Sequence, residues 1–158
     1  MKLIPLTQGK FAQVDDWWFY ELTQFKWYAH KSADSATFYA RRNITISPNK
    51  QITIFMHNII MATPDGLEVD HIDHNGLNCL EENMRNCTHL QNMMNHISVG
   101  KSPYLGVSYH KGTLIRATIK LSGKCKHLGY FKTEEDAARA YDKKAKELFG
   151  EFANLNFK

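Results

Sequence analysis

Apolar and polar positions change rhythm three times along this chain. In roughly residues 1–65, Trp18, Leu22 and Phe25 recur at helical spacing. They follow Asp15 and Asp16, two carboxylates suited to a helix N-terminus. Lys26 to His30, Thr37 to Arg42 and Gln51 to Phe55 then read as strands, with Ser47-Pro48-Asn49-Lys50 as turn chemistry between the last two. Met56, Ile59 and Ile60 mark one side of a short helix over 56–61. Trp17, Trp18, Trp27 and Tyr28 are assigned to the core of this region in preference to a base-stacking platform.

Residues 66–98 predict strand, loop, strand and helix in that order. Leu67 to Ile72 is the first strand, and Asp73-His74-Asn75-Gly76 the loop, with Asn-Gly a strong turn signal. A second, irregular strand lies near Met84 to Cys87. Thr88-His89-Leu90-Gln91 has the form of a capping box, so a helix is expected from His89 to about Ile97. After a polar linker at 99–102, Leu105 to Tyr109, Leu114 to Leu121 and Lys126 to Phe131 alternate as strands. Thr133 with Glu134, Glu135 and Asp136 starts a helix that runs to about Leu148 and stops at Gly150. Its alanines, Ala137, Ala138 and Ala145, would let it lie close on a sheet. The fold class is therefore α+β: a β-rich N-terminal region (1–65), a strand–loop–strand–helix unit (66–98), and a three-stranded antiparallel sheet packed on one helix (103–158).

Charge sharpens this division. The whole chain carries +4, but the three regions carry +2, −4 and +6 for residues 1–65, 66–98 and 99–158. A basic end favours a polyanion as partner. One use for an acidic middle inside a basic protein is to hold a metal ion. Three cysteines without a Cys-x-x-Cys pair speak against a disulfide framework and a zinc cluster, and fit a reducing cytoplasm. No apolar run approaches the roughly 20 residues of a membrane span, and the N-terminus lacks the apolar core of a signal peptide.

The acidic middle also holds the residues with chemistry. Phosphodiester hydrolysis needs a base to take a proton from water and a cation to offset charge on the phosphoryl and leaving oxygens. His71 can be the base, since a neutral imidazole is available near pH 7. Asp70 offers a hard oxygen for Mg²⁺ or Mn²⁺, Asn92 a second one, and Asn83 can bond backbone across the loop to orient His71. Asp73 and His74 could also bind metal; the other reading is a polar loop.

Val69-Asp70-His71-Ile72-Asp73, Asn83-Met84-Arg85 and Asn92 together resemble the HNH endonuclease motif, or ββα-metal fold, over roughly 66–96. The likeness is to the phage and intron-encoded branch, with Asn at the third motif position. It implies His71 as general base, Asp70 and Asn92 as ligands of one Mg²⁺ or Mn²⁺ per active site, Asn83 as the loop holder, and ends bearing 5′-phosphate and 3′-hydroxyl. Met84 and His74 depart from the usual residues without removing a needed group.

Tyr104-Leu105-Gly106-Val107, Arg116 to Lys120, His127 to Phe131, Thr133 to Asp142 and Ala153 to Phe157 resemble the APETALA-type, or ethylene-response-factor, DNA-binding domain. That family places its sheet in the major groove and braces it with the helix. By position His110, Arg116, Thr118, Lys120, Lys126 and His127 match DNA-facing residues. Strand alternation independently sets Arg116, Thr118 and Lys120 apart from Ile115, Ala117 and Ile119. Leu105 and Ser108 stand where the plant domains have arginines, so their target does not carry over. Arg41 and Arg42 are candidate phosphate contacts. The expectation is a homing-type nicking endonuclease acting on double-stranded DNA in a bacterial cytoplasm, encoded by a phage or mobile element. It needs no membrane and no obligatory protein partner, and a homodimer would serve for a double-strand break. The rivals are an inactive HNH-fold regulator and a nuclease for RNA or branched DNA.

Overall fold

The computed structural model describes residues 1–31, 37–95, 100–110, 114–121 and 123–157. The chain divides into two units, Met1–Thr88 and His89–Lys158.

In the first unit, β1 (Lys2–Pro5) and β2 (Phe11–Val14) pair antiparallel, and β7 (Asn78–Cys79) joins β2 in parallel. A second sheet runs β3 (Tyr28–His30), β4 (Tyr39–Ser47), β5 (Lys50–Phe55), all antiparallel. Between them lie α1 (Asp16–Leu22) and α2 (Met56–Ile60), and a hairpin of β6 (Glu68–His71) with β8 (Met84–Cys87). Ile4, Ala12, Val14, Leu22, Trp27, Ala40, Met56, Ile60, Cys79 and Met84 form one buried core. The N-terminal region and the hairpin therefore bury their apolar faces against each other, within a single unit.

The outer halves of β4 and β5 leave that core as a ribbon. Arg42, Ile44, Ile52 and Ile54 share one face of it; Arg41, Asn43, Thr45, Gln51 and Thr53 share the other. The polar face is tied across the strands by Thr53 Oγ1 to Asn43 Oδ1 at 3.1 Å and Gln51 Nε2 to Thr45 Oγ1 at 3.3 Å.

Aromatic packing differs from expectation at two points. Trp27 is buried, but Trp17 is 67% exposed and Phe25 lies beyond the end of α1, also exposed. Trp17 and Trp18 both donate to Glu81 Oε1, at 3.1 and 2.6 Å, and Asp15 Oδ2 accepts from the Glu81 amide. Their polar edges are thus spoken for, and only Trp18 has its ring against the core.

The second unit opens with α3 (His89–Asn92), shorter than the helix expected to reach Ile97. After Asn92 the chain tightens into turns, with the amides of Met94 and Asn95 bonding to carbonyls three residues back. Residues 96–99 of that expected helix and linker lie outside the described residues. An antiparallel sheet follows in the order β11 (Lys124–Phe131), β10 (Leu114–Leu121), β9 (Val107–His110), with α4 (Glu134–Phe149) packed on it. Thr133 caps α4 by accepting from the Asp136 amide at 3.1 Å. Ala137, Ala138 and Ala145 are fully buried, and this absence of bulk lets helix and sheet approach. Gly106, at φ +72°, sits so close under the Tyr141 ring and the Thr118 carbonyl that no Cβ fits. Asn156 and Asp142 close the unit: Asn156 bonds both backbone groups of Leu105, and Asp142 accepts from the amides of Asn156 and Phe157.

Candidate active site and nucleic-acid interface

The hairpin β6–β8 places Asp70 opposite Arg85 and His71 opposite Met84. Asp70 is 3% exposed, and its Oδ2 accepts from Arg85 Nε at 2.8 Å and Nη2 at 2.7 Å. Arg85 was not singled out from the sequence, although its position across the strand pair from Asp70 follows from the hairpin register.

His71 is 6% exposed. Its ring meets that of His57 from α2 edge-on at 5.1 Å and that of Tyr39 at 5.7 Å. Burial pushes the His71 imidazole down to about 4, against the pull of Asp73 and Asp70. Burial, with His71 adding to it, pushes His57 down to about 3. Both rings are therefore neutral at pH 7, and His71 can accept a proton. Nothing local in the sequence marks His57, since the sheet around Tyr39 brings the two histidines together.

Asn83 spans the loop that leaves His71. Its Nδ2 donates to Asp73 Oδ1 and to the Asn78 carbonyl, both at 2.9 Å, and its Oδ1 accepts from the Asp73 amide at 3.1 Å. Asp73 accepts also from the Asn75 amide at 2.8 Å and from Asn78 Nδ2 at 2.7 Å. Burial opposes ionisation of Asp73, but the bonds from Asn78, Asn75 and Asn83 outweigh it and hold the carboxyl below its usual range. This carboxylate is committed to the loop. Gly76 is held by Thr37 Oγ1, and it approaches Tyr39 and the Phe38 carbonyl so closely that a side chain would collide. Asn92 ends α3 and belongs to the second unit.

On the second unit's sheet, Arg116 pairs with Ser108 and Tyr130, Thr118 with His127, Lys120 with Cys125, and His110 with Leu114. These residues share the face turned away from α4. Arg116 Nε donates to Ser108 Oγ at 3.3 Å. Tyr130, half exposed and unforeseen, lies between His127 at 4.7 Å and His110 at 5.7 Å. Lys126 departs from the expected set. It pairs with Ile119, whose side chain is buried, so it points to the helix side. There Lys144, then Lys143 and Lys126, hold the Glu147 carboxyl of α4 below its usual range. Neighbouring residues of a strand face opposite ways, and a bulge beside Ala117–Thr118 decides which of Lys126 and His127 joins Arg116.

In the first unit, the Arg42 guanidinium lies 3.5 Å from the Phe25 ring centre and 5.4 Å from that of Trp27, and Arg41 is 5.4 Å from Tyr28. Among the described residues the Nε of neither has a hydrogen-bond partner.

Residues 62–94 match the family model described as HNH endonuclease, a span that includes Asp70, His71, Asn83 and Asn92. A protein of Acanthamoeba polyphaga mimivirus, named as an uncharacterized HNH endonuclease, is 32% identical over 148 residues, 92% of this chain and 73% of that protein. The chain belongs to the HNH endonuclease family. It is accordingly a nuclease, a hydrolase of phosphodiester bonds. Among the described residues no helix is long and apolar enough to cross a membrane.

Proposed function

We propose that this protein is a divalent-metal-dependent endonuclease that nicks duplex DNA, with His71 as general base and the second unit's sheet as the DNA reader. The observation that carries the proposal is the state of His71: a neutral, ring-packed imidazole at the mouth of a loop clasped by Asn83. A base must be unprotonated and fixed in direction, and burial with edge-on packing supplies both. Asn83 acts as a positioning residue, because the loop it clasps begins at the carbonyl of His71, which accepts from the His74 amide at 2.9 Å.

The donor chemistry suits a hard cation. Among the described residues no three His, Cys, Asp or Glu side chains cluster. Mg²⁺ needs no such cluster, since one or two protein oxygens with water and phosphate suffice. Asp70, the buried carboxylate of the hairpin, would take this role, and Asn92 is the second oxygen by the motif. A bound ion would supply charge neutralisation at the phosphoryl group. Arg85, already paired to Asp70, balances the carboxylate until then.

The second unit's sheet offers His110, Arg116, Thr118, Lys120 and His127 to a groove, in keeping with its APETALA-type resemblance. Arg41 and Arg42 would add phosphate contacts. One site of this kind cuts one strand. The viral relative fits a homing-type element carried by a virus or phage.

The test is conversion of supercoiled plasmid to open circle with Mg²⁺ or Mn²⁺, with EDTA, and with His71→Ala. Conversion that needs both metal and His71 is expected. The Asp70–Arg85 pair gives a second reading some footing, an inactive DNA-binding regulator in which the arginine takes the cation's place. Duplex binding without conversion under any metal would favour it.

A further inference from the structure

The side of α4 turned away from its sheet carries a row of cations. Ala137, Ala138, Tyr141, Ala145 and Phe149 are buried and set the sheet side of the helix. Arg139, Lys143 and Lys146 project from the other side at spacings of four and three residues, so they stand one above the next. All three are exposed. With Asp142 and Phe157 they line an open cleft of about 440 Å³ within the second unit. At 1.5 Å of rise per residue the row is about 10 Å long.

Among the described residues no carboxylate is paired with any of the three. Asp142 is the acid of the cleft, but it is buried and its oxygens are in use. They accept from the Asn156 amide at 2.9 Å, the Asn156 side chain at 3.0 Å and the Phe157 amide at 2.9 Å. Glu147 pairs with Lys144, and Lys143 acts on it only at longer range. Glu135, one turn before Arg139, lies outside the cleft. The ring of Phe157 is engaged as well, by the Arg139 guanidinium 4.7 Å from its centre and by Tyr104 at 5.5 Å. The cleft therefore offers cations in a line and no group to read or stack a base. Its fitting occupant is a regular row of negative charges, the phosphate backbone of duplex DNA.

We propose that the row on α4 holds the backbone of a second duplex, so that one molecule bridges two DNA segments. The sheet face of Arg116, Thr118 and Lys120 and the row on α4 look in opposite directions, with the sheet and a helix about 10–12 Å in diameter between them. A short, straight duplex lying on one cannot reach the other. The bridging rests on the reading of that sheet as the DNA reader; the phosphate-binding property of α4 does not. Phosphate contacts carry no sequence information, so the second segment is held without being read.

The test uses the full chain in EDTA with two duplexes of about 15 base pairs, far below the persistence length of about 150 base pairs and so too stiff to wrap. One carries a donor fluorophore and the other an acceptor. The protein should bring them together, seen as energy transfer, with sedimentation showing one protein to two duplexes. Affinity for the second duplex should fall about 40-fold between 50 and 200 mM salt, as three phosphate contacts require. The variant Arg139→Ala/Lys143→Ala/Lys146→Ala places good helix formers at exposed positions. It should weaken the second duplex by at least about tenfold and leave the first duplex and nicking in Mg²⁺ unchanged. No transfer with the wild-type protein, or transfer untouched by the triple variant, overturns the proposal. So does transfer that sedimentation traces to a protein dimer with one duplex on each copy, or a second site that prefers single strands or RNA. Lys120→Ala answers separately for the reader. If it leaves duplex binding intact while the triple variant weakens it, the row on α4 stands and the sheet reading falls.

Discussion

Two buried neutral histidines should make the first unit sensitive to mild acid. In the unfolded chain His57 and His71 titrate near 6.5; in the fold burial brings them to about 3 and about 4. Below pH 6.5 the unfolded state takes up protons that the folded state refuses, so stability falls as pH falls. The loss begins at 6.5 and ends only near 4 for His71 and 3 for His57. From pH 7 to pH 5 each histidine should cost about 1.9 kcal/mol, and the pair about 4 kcal/mol as an upper figure. That is a large share of a stability that is typically about 5–15 kcal/mol. All three tryptophans, Trp17, Trp18 and Trp27, lie in this unit, so their fluorescence reports its unfolding alone. Urea melts at pH 7, 6 and 5 should show the midpoint falling steeply, and His57→Phe, which keeps the ring stack, should roughly halve the slope. A midpoint that is flat from pH 7 to 5, or a slope untouched by His57→Phe, would show that the two imidazoles are solvated and the reasoning wrong.

Three further changes probe particular contacts. Asn83→Ala removes three hydrogen bonds and leaves Asp73 and the Asn78 carbonyl short of donors, so it should cost about 2–3 kcal/mol in urea melts. It should also reduce plasmid nicking more than tenfold. Gly76→Ala drives a methyl into the Tyr39 ring and the Phe38 carbonyl and should cost about 1–3 kcal/mol by the same melts. On the second unit, Lys120→Ala should weaken duplex binding and flatten its salt dependence, while Lys126→Ala, on the helix side, should leave both unchanged in fluorescence anisotropy titrations.

Long periodic segments were legible in the sequence. The strand at Lys50–Phe55, the sheet strand at Leu114–Leu121 and the helix capped by Thr133 lie close to where alternation and capping residues put them, whereas β4, expected over Thr37 to Arg42, runs from Tyr39 to Ser47. What escaped was short or set by distant neighbours. β1, β2 and β7 have four, four and two residues, too few for a period, and β7 exists only because β2 is there to pair with it. Trp17 was assigned to the core by its chemistry, but the Glu81 carboxylate, far along the chain, satisfies its polar edge at the surface. The bulge that turns Lys126 toward the helix leaves no mark in composition. Asp70, His71 and Asn83 could be named because they lie within one hairpin. His57 could not, because its relation to His71 is made by the packing of Tyr39 between two elements.

The parallel pairing of β2 with β7 has a consequence for how the enzyme comes into being. Gln13 must wait for Asn78, and Val14 for Cys79, before the loop that leaves His71 has its scaffold. At about 5–20 residues per second, the roughly 65 residues between them take on the order of 3–13 s to leave a ribosome. For that time β2 has an open edge and the nuclease cannot be complete. The same connection means that the hairpin cannot be transplanted as residues 66–98 alone. A graft or a truncation that omits the first fourteen residues would carry the motif without the strand on which its loop is hung.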